Sequence, residues 1–296
     1  MNNVGLVLEG GGMRGIYTAG VLEFFLEQQL HFPYVVGASA GASMACSYLA
    51  RQKGRNKKVN IGLIKDSRFI SFRNILRERS LFGMNFLFDE VPKSIIPLNV
   101  EQVLNNDQLF QVATTCMTTG KAVYHSNDGN CDILQAVKAS SSLPLLSPYV
   151  TIDGKKLMDG GVADPIPLAQ ARHAGFKKNV VVLTRERGFR KKQSPLSPLA
   201  PRIYKEYPEF ATTMMHRTDF YNEQLDWIDE LEARDEIKVL RPPYEINVKR
   251  TEKDPKKLLR LYEAGYRHAK ELWPELQHWH EEPTIEQVTQ HEPQPV

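Results

Sequence analysis

Apolar and polar positions in the first forty residues repeat one unit: an apolar strand, a glycine-containing turn, and a helix that opens on small residues. The run Val4 to Leu8 predicts a strand. Glu9-Gly10-Gly11-Gly12 leads from it into a helix ending near Gln28, with Val21, Leu22, Phe25 and Leu26 on one face. The unit then recurs. Pro33 precedes a short strand, Tyr34 to Val36, which meets Gly37-Ala38-Ser39-Ala40-Gly41 and a second helix through about Leu49. This alternation predicts an α/β fold of three layers, α/β/α, around a mainly parallel central sheet.

The regularity breaks between about Lys53 and Val100 and then returns. Strand patterns lie at Gln111 to Thr115 and Ala122 to His125, and an amphipathic helix at Ile133 to Ser140 ends at Leu143-Pro144. Val150 to Leu157 reads as a hairpin turning at Asp153-Gly154, and Val180 to Leu183 as a buried core strand. Two long helical patterns follow, Ala211 to Ala233 and Pro255 to about Leu276, the second opened by Thr251 and Asp254-Pro255. The expected organisation is a first domain over 1–200 with 53–100 as an insertion or cap, and a mainly helical region over 201–281. A Glu-, Gln- and Pro-rich tail over 282–296 is expected to be disordered.

With 296 residues, 42% of them hydrophobic, the chain can build a substantial core. Its three cysteines, Cys46, Cys116 and Cys131, are an odd number without CxxC spacing. They suggest neither a disulfide framework nor a zinc site, and fit a reducing compartment. No basic stretch or small-residue cleavage site precedes Val4, and no apolar run approaches the roughly 18 residues of a membrane span. The expectation is a cytoplasmic protein, with any membrane contact being peripheral.

The net charge of +3 is uninformative, but its distribution is uneven. From Lys53 to Arg79 nine basic side chains stand against two acidic ones, interleaved with apolar residues such as Phe69, Phe72, Leu76 and Phe82. Such a stretch suits a lipid surface, its cations on anionic head groups and its apolar side chains between the acyl chains. It equally suits a cap over the core with its lysines in water. No nucleic-acid recognition motif accompanies the charge.

Gly37-Ala38-Ser39-Ala40-Gly41 matches G-x-S-x-G, in which a strand turns sharply into a helix and projects the serine hydroxyl above the sheet edge. Strand and helix flank it as the motif requires, and the helix N-terminus directs free N–H groups at Ser39. Gly10-Gly11-Gly12-Met13-Arg14-Gly15 occupies another strand-to-helix turn, where uncovered backbone N–H groups suit an oxyanion or a phosphate. The run also satisfies the dinucleotide fingerprint G-x-G-x-x-G, but Tyr34-Val35-Val36-Gly37 lacks the acidic residue a ribose needs. None of the eight histidines has a convincing setting as base for Ser39. Asp159-Gly160-Gly161 offers a carboxylate at a strand end, although Asp-Gly also marks ordinary turns.

In this order the motifs G-G-G-x-R-G, G-x-S-x-G and D-G-G resemble those of the patatin-like phospholipase family, and Ala139-Ser140-Ser141-Ser142-Leu143-Pro144 is similar to the family's A-S-x-x-x-P segment. The resemblance covers Val4 to about Leu183. It implies a Ser–Asp dyad acting on acyl esters of lipids, without a metal or organic cofactor. It makes Ser39 the nucleophile, Asp159 the base, Gly10, Gly11 and Gly12 with Arg14 the oxyanion loop, and Gly37 and Gly41 the glycines of the serine turn. A lipid or a membrane surface is the implied partner, nucleic acid is not, and the oligomeric state is left open. A small-acyl esterase or thioesterase would use the same residues, and a non-catalytic membrane-binding module would keep the same fold.

Overall fold

The strand-turn-helix units expected at the N-terminus form the middle of an eight-stranded mixed sheet in the computed structural model, which describes residues 3–128, 131–195, 197–244 and 247–279. The tail expected over 282–296 lies outside the described residues, as do His280 and His291. Strand β1 (Val4–Leu8) lies between β2 (Tyr34–Ala38) and β7 (Lys178–Val182), parallel to both. Beyond β2 comes β3 (Leu109–Cys116), also parallel. Beyond β7 lies β8 (Ile237–Leu240), a parallel edge strand that the sequence pattern does not reveal. Its four residues follow a helix directly and include Lys238, so they form neither a long apolar run nor a clean alternation.

Three strands run against this direction or return from it. β4 (Ala122–Ser126) pairs antiparallel with one edge of β3, while β6 (Lys155–Asp159) pairs antiparallel with the other. β5 (Val150–Ile152) completes the expected hairpin with β6, turning at Asp153 and Gly154, both at positive φ.

Successive side chains of the central strands face opposite layers. Leu6, Leu8, Val35, Val180 and Val182 enter a core shared with helices α1 (Ile16–Glu27), α2 (Ala40–Leu49), α4 (Ile133–Ser140) and α7 (Pro255–Trp279). Val7, Val36, Val181 and Leu183 enter a second core with α5 (Leu168–His173) and α6 (Pro208–Ala233). The three expected layers are therefore present, and both long C-terminal helices belong to them.

Helices α1 and α7 touch backbone to backbone. A Cβ on Gly20 would lie 1.9 Å from the Tyr262 carbonyl oxygen, and one on Gly265 would lie 2.1 Å from that of Tyr17. The segment 53–100 folds as short helical pieces, including α3 (Phe72–Glu78), and buries Phe69, Phe86 and Val91 in the first core. Phe72 and Leu76 of α3 stay in solvent, 82% and 89% exposed.

Candidate active site

Strands β2 and β6 meet end to end along one edge of β3. β2 runs parallel to β3 and ends at Ala38, opposite Ala113; β6 runs antiparallel and ends at Asp159, opposite Thr114. Opposed chain directions thus bring two C-terminal strand ends, distant in sequence, to adjacent positions. Ser39 follows β2 at φ 50° and ψ −118°, a conformation costing a non-glycine residue roughly 1–3 kcal/mol. The turn also needs the glycine after it: a Cβ on Gly41 would lie 2.4 Å from the Leu8 carbonyl oxygen, and one on Gly37 2.7 Å from the Ala42 nitrogen.

The Ser39 hydroxyl donates to Asp159 Oδ2 at 2.9 Å, and Asp159 Oδ1 accepts the Gly161 N–H at 2.7 Å. Both side chains are buried. Burial pushes the Asp159 carboxyl above its ordinary value, while the Ser39 bond, the Arg217 charge and the Gly161 N–H pull the other way. The result is a carboxylate that is a better proton acceptor than an exposed aspartate.

The hydroxyl-rich end of α4 joins the two strand ends. Ser140 Oγ accepts the Ser39 N–H at 2.7 Å and donates to the Ala113 carbonyl at 2.6 Å. The Ser142 carbonyl accepts the Asp159 N–H at 2.9 Å.

The glycine run after β1 lies beside Ser39. Gly12 has φ 58°, and a Cβ there would lie 2.7 Å from the Arg250 carbonyl oxygen, so a side chain is excluded both by the backbone and by its neighbour. The Arg250 carbonyl in turn accepts the Met13 N–H at 3.0 Å. The Gly10 N–H is engaged by the Pro165 carbonyl at 3.2 Å, whereas those of Gly11 and Gly12 have no acceptor among the described residues. Arg14 is buried beside the run, and burial, with Arg250 and Arg185 nearby, lowers its pKa to about 10. Glu9 anchors the run from below: it accepts from the Thr184 hydroxyl at 3.0 Å, from the Thr184 N–H, and from the Tyr221 hydroxyl at 2.7 Å.

Ser39 lies where two cavities meet. One is apolar, lined by Met44, Val59, Phe69, Phe82 and Leu87 among others. The second, about 510 Å³, is lined by the glycine run and Asp159 and by Arg185, Lys191, Arg217 and Arg250. Glu9, Arg185, Lys191, Arg217 and Arg250 were not singled out from sequence. One trace of them was available: Arg217, Tyr221 and Gln224 recur at helical spacing along α6, polar residues in a row facing the protein.

No histidine among the described residues bonds to Ser39. His125 lies by Thr114 at 3.0 Å, His268 by Tyr17 at 2.9 Å and His216 by the Thr212 carbonyl at 3.0 Å.

The class defined by fold and site is an α/β/α protein that seats a strained serine on a buried carboxylate at the ends of two converging strands. The chain belongs to the patatin-like phospholipase family, whose model matches residues 6–172, more than half of its length and a span containing Gly10 to Gly12, Ser39 and Asp159. A second model, described as a domain of unknown function (DUF6363), matches residues 207–281, the stretch that carries Arg217 and Arg250.

Relatives include the uncharacterized protein YjjU of Escherichia coli, 30% identical over 61% of this chain and 52% of its own length. Lysophospholipase nte1 of Emericella nidulans is 27% identical over 58% of this chain and 11% of its own length. The chain thus spans about half or less of the curated relatives it matches. The crystal structure of VipD from Legionella pneumophila shares the fold with a TM-score of 0.50 at 16% identity, covering 93% of this chain and 67% of that one.

Proposed function

We propose that the protein is a serine acyl hydrolase that cleaves carboxylic esters of lipids, of phospholipase A or lysophospholipase type, with Ser39 as nucleophile and Asp159 as its base. The observation that carries this reading is the 2.9 Å bond from the Ser39 hydroxyl to the buried Asp159 carboxylate, at the junction of an apolar cavity and a glycine loop. Family membership, and a relative named as a lysophospholipase, support the lipid substrate.

In this mechanism Asp159 takes the Ser39 proton as Oγ attacks the ester carbonyl carbon, and the carbonyl oxygen becomes an oxyanion. The free N–H groups of Gly11 and Gly12 stabilise it; the Gly10 N–H, already bonded, contributes through the shape of the loop. The C–O bond to the alcohol breaks, Asp159 returns the proton to the leaving alkoxide, and an acyl-Ser39 ester remains. Water then repeats the cycle: it attacks the acyl carbon, loses its proton to Asp159, and Ser39 regains that proton as the fatty acid leaves. The apolar cavity accommodates the acyl chain.

The substrate is met at a peripheral lipid surface. Exposed Phe72 and Leu76 share α3 with Arg73 and Arg77, and the Leu81 N–H just beyond α3 donates to the Leu146 carbonyl at 2.9 Å. Leu145 and Leu146 are exposed too, and the neighbouring Leu143 lines both cavities. An apolar rim edged with cations so close to the site suits insertion between head groups. No helix among the described residues is long and apolar enough to cross a membrane.

Fatty-acid release from phospholipid and lysophospholipid vesicles tests the proposal. The parent protein is expected to release fatty acid, and Ser39→Ala to lose at least about 10³-fold in rate. Equal release by the two proteins would show that the chemistry lies elsewhere.

A further inference from the structure

The larger cavity at Ser39 holds an excess of positive charge that the proposed chemistry does not use. Arg185, Lys191, Lys192, Arg217 and Arg250 all line it. None of the five forms a close ion pair with an acid among the described residues, although the Asp159 charge reaches Arg217 and Lys191. Arg190, also on the wall, is accounted for by its ion pair with Asp226.

The acids inside the cavity are already engaged. Glu9 accepts from Thr184 and Tyr221, and Asp159 from Ser39 and Gly161. Two of the cations rest on rings instead of on carboxylates: Arg185 lies 4.2 Å from the centre of Phe189, and Lys191 4.7 Å from that of Tyr221. Such contacts hold a cation in place without neutralising it. The Nε atoms of Arg185 and Arg217 are buried without a hydrogen-bond acceptor. Burial and the neighbouring Arg217 and Arg250 push Lys191 down to about 6, and burial and Arg250 push Arg217 down to about 10. Arg185, Lys191 and Arg217 are half-buried while Lys192 and Arg250 are exposed, and a cleft lined by one sign of charge draws an anion into it.

We propose that this chamber receives the head group of the substrate and selects lipid esters bearing a phosphate, with Arg217 and Arg250 as its specificity-determining residues. The inference rests on the hydrolase reading, since it assigns the leaving half of the ester to the basic cavity and the acyl half to the apolar one. Guanidinium groups match phosphate oxygens in a forked, two-bond geometry, and a cluster of cations repels an ammonium head group. The favoured substrate class is therefore a phosphomonoester or other anionic glycerolipid, disfavouring neutral acylglycerols and choline esters. Arg217 lies on α6, and Arg250 precedes α7 with its carbonyl bonded to the Met13 N–H. The C-terminal region of unassigned role thus becomes the part of the chain that reads the head group beside the glycine loop.

The test compares two substrates with the same acyl chain, 1-oleoylglycerol 3-phosphate and 1-oleoylglycerol, using the full-length protein. The ratio of their kcat/KM values is expected to favour the phosphate at least tenfold, and Arg217→Gln and Arg250→Gln each to lower that ratio by about tenfold or more. Lysine at either position should restore part of it. A ratio near unity that neither substitution moves, with turnover still dependent on Ser39, overturns the head-group assignment and leaves the hydrolase reading standing.

A binding measurement separates the two readings from the other side. Calorimetry on Ser39→Ala with the ether analogues 1-octadecylglycerol 3-phosphate and 1-octadecylglycerol should show tighter binding of the phosphate, diminished by Arg250→Gln. That result together with no ester turnover by the parent would sink the hydrolase reading alone. Inorganic phosphate binding as tightly as the phosphorylated ether would make the chamber a free-anion site and overturn the proposal. Melting temperatures of the variants identify any that fail to fold.

Discussion

Asp159 stands between two opposed requirements: the proposed chemistry needs it ionised, and its burial favours the neutral acid. The sign of its linkage follows from its raised pKa. A carboxyl with a folded value above its unfolded value, near 3.9, stabilises the fold fully at pH below that unfolded value. The contribution is lost as pH rises through the folded value. Asp159→Asn removes this liability, so the variant should melt a few degrees higher than the parent at neutral pH, with the difference shrinking toward pH 3.

The same substitution should lower ester turnover by roughly 10²–10⁴, the usual weight of a general base. In the parent, kcat/KM should rise with pH through a pKa above that of an ordinary aspartate. Calorimetric melting and a pH–rate profile check both statements; an equal or lower melting temperature for the variant at pH 7 would mean that the charge at Asp159 is well compensated.

Most individual elements were readable from periodicity and turn chemistry. The helix Ile133–Ser140 and the hairpin turning at Asp153-Gly154 lie where the pattern puts them, because amphipathic spacing and an Asp-Gly turn are local signals. The sequence pattern does not show that β6 runs against β3 while β2 runs with it, which is what brings Asp159 to Ser39. Pairing direction is a tertiary property, and here motif order stood in for it. Helix α3 illustrates the converse, since interleaved basic and apolar residues left lipid surface and core cap equally open. The structure divides the segment: Phe69, Phe86 and Val91 are core, whereas Phe72 and Leu76 point to water. Replacing both Phe72 and Leu76 by serine should leave the melting temperature within about 1 °C, because exposed sites carry little packing. It should weaken sedimentation with anionic vesicles several-fold. Unchanged vesicle binding would place the membrane contact on another face.

At the scale of the whole molecule the C-terminal helices are continuous with the rest. Leu258, Leu261 and Tyr262 of α7 lie in the same core as β1 and α1, and Tyr221 of α6 bonds Glu9 at the end of β1. Sequence motifs marked the serine, the carboxylate and the glycine loop because each needs special backbone geometry and so leaves a local signature. The basic chamber left only the polar row on α6, since arginines at 185, 217 and 250 are far apart and look like ordinary surface charge until the chain folds.

The central claim is that Ser39 is an activated nucleophile whose base is Asp159. Treating the pure protein with a fluorophosphonate probe and locating the adduct by peptide mass spectrometry tests this without choice of a lipid. Labelling confined to Ser39, and slower by at least about 10²-fold in Asp159→Asn, is the expected result. Labelling at another residue, or at Ser39 with the same rate in both proteins, would contradict it.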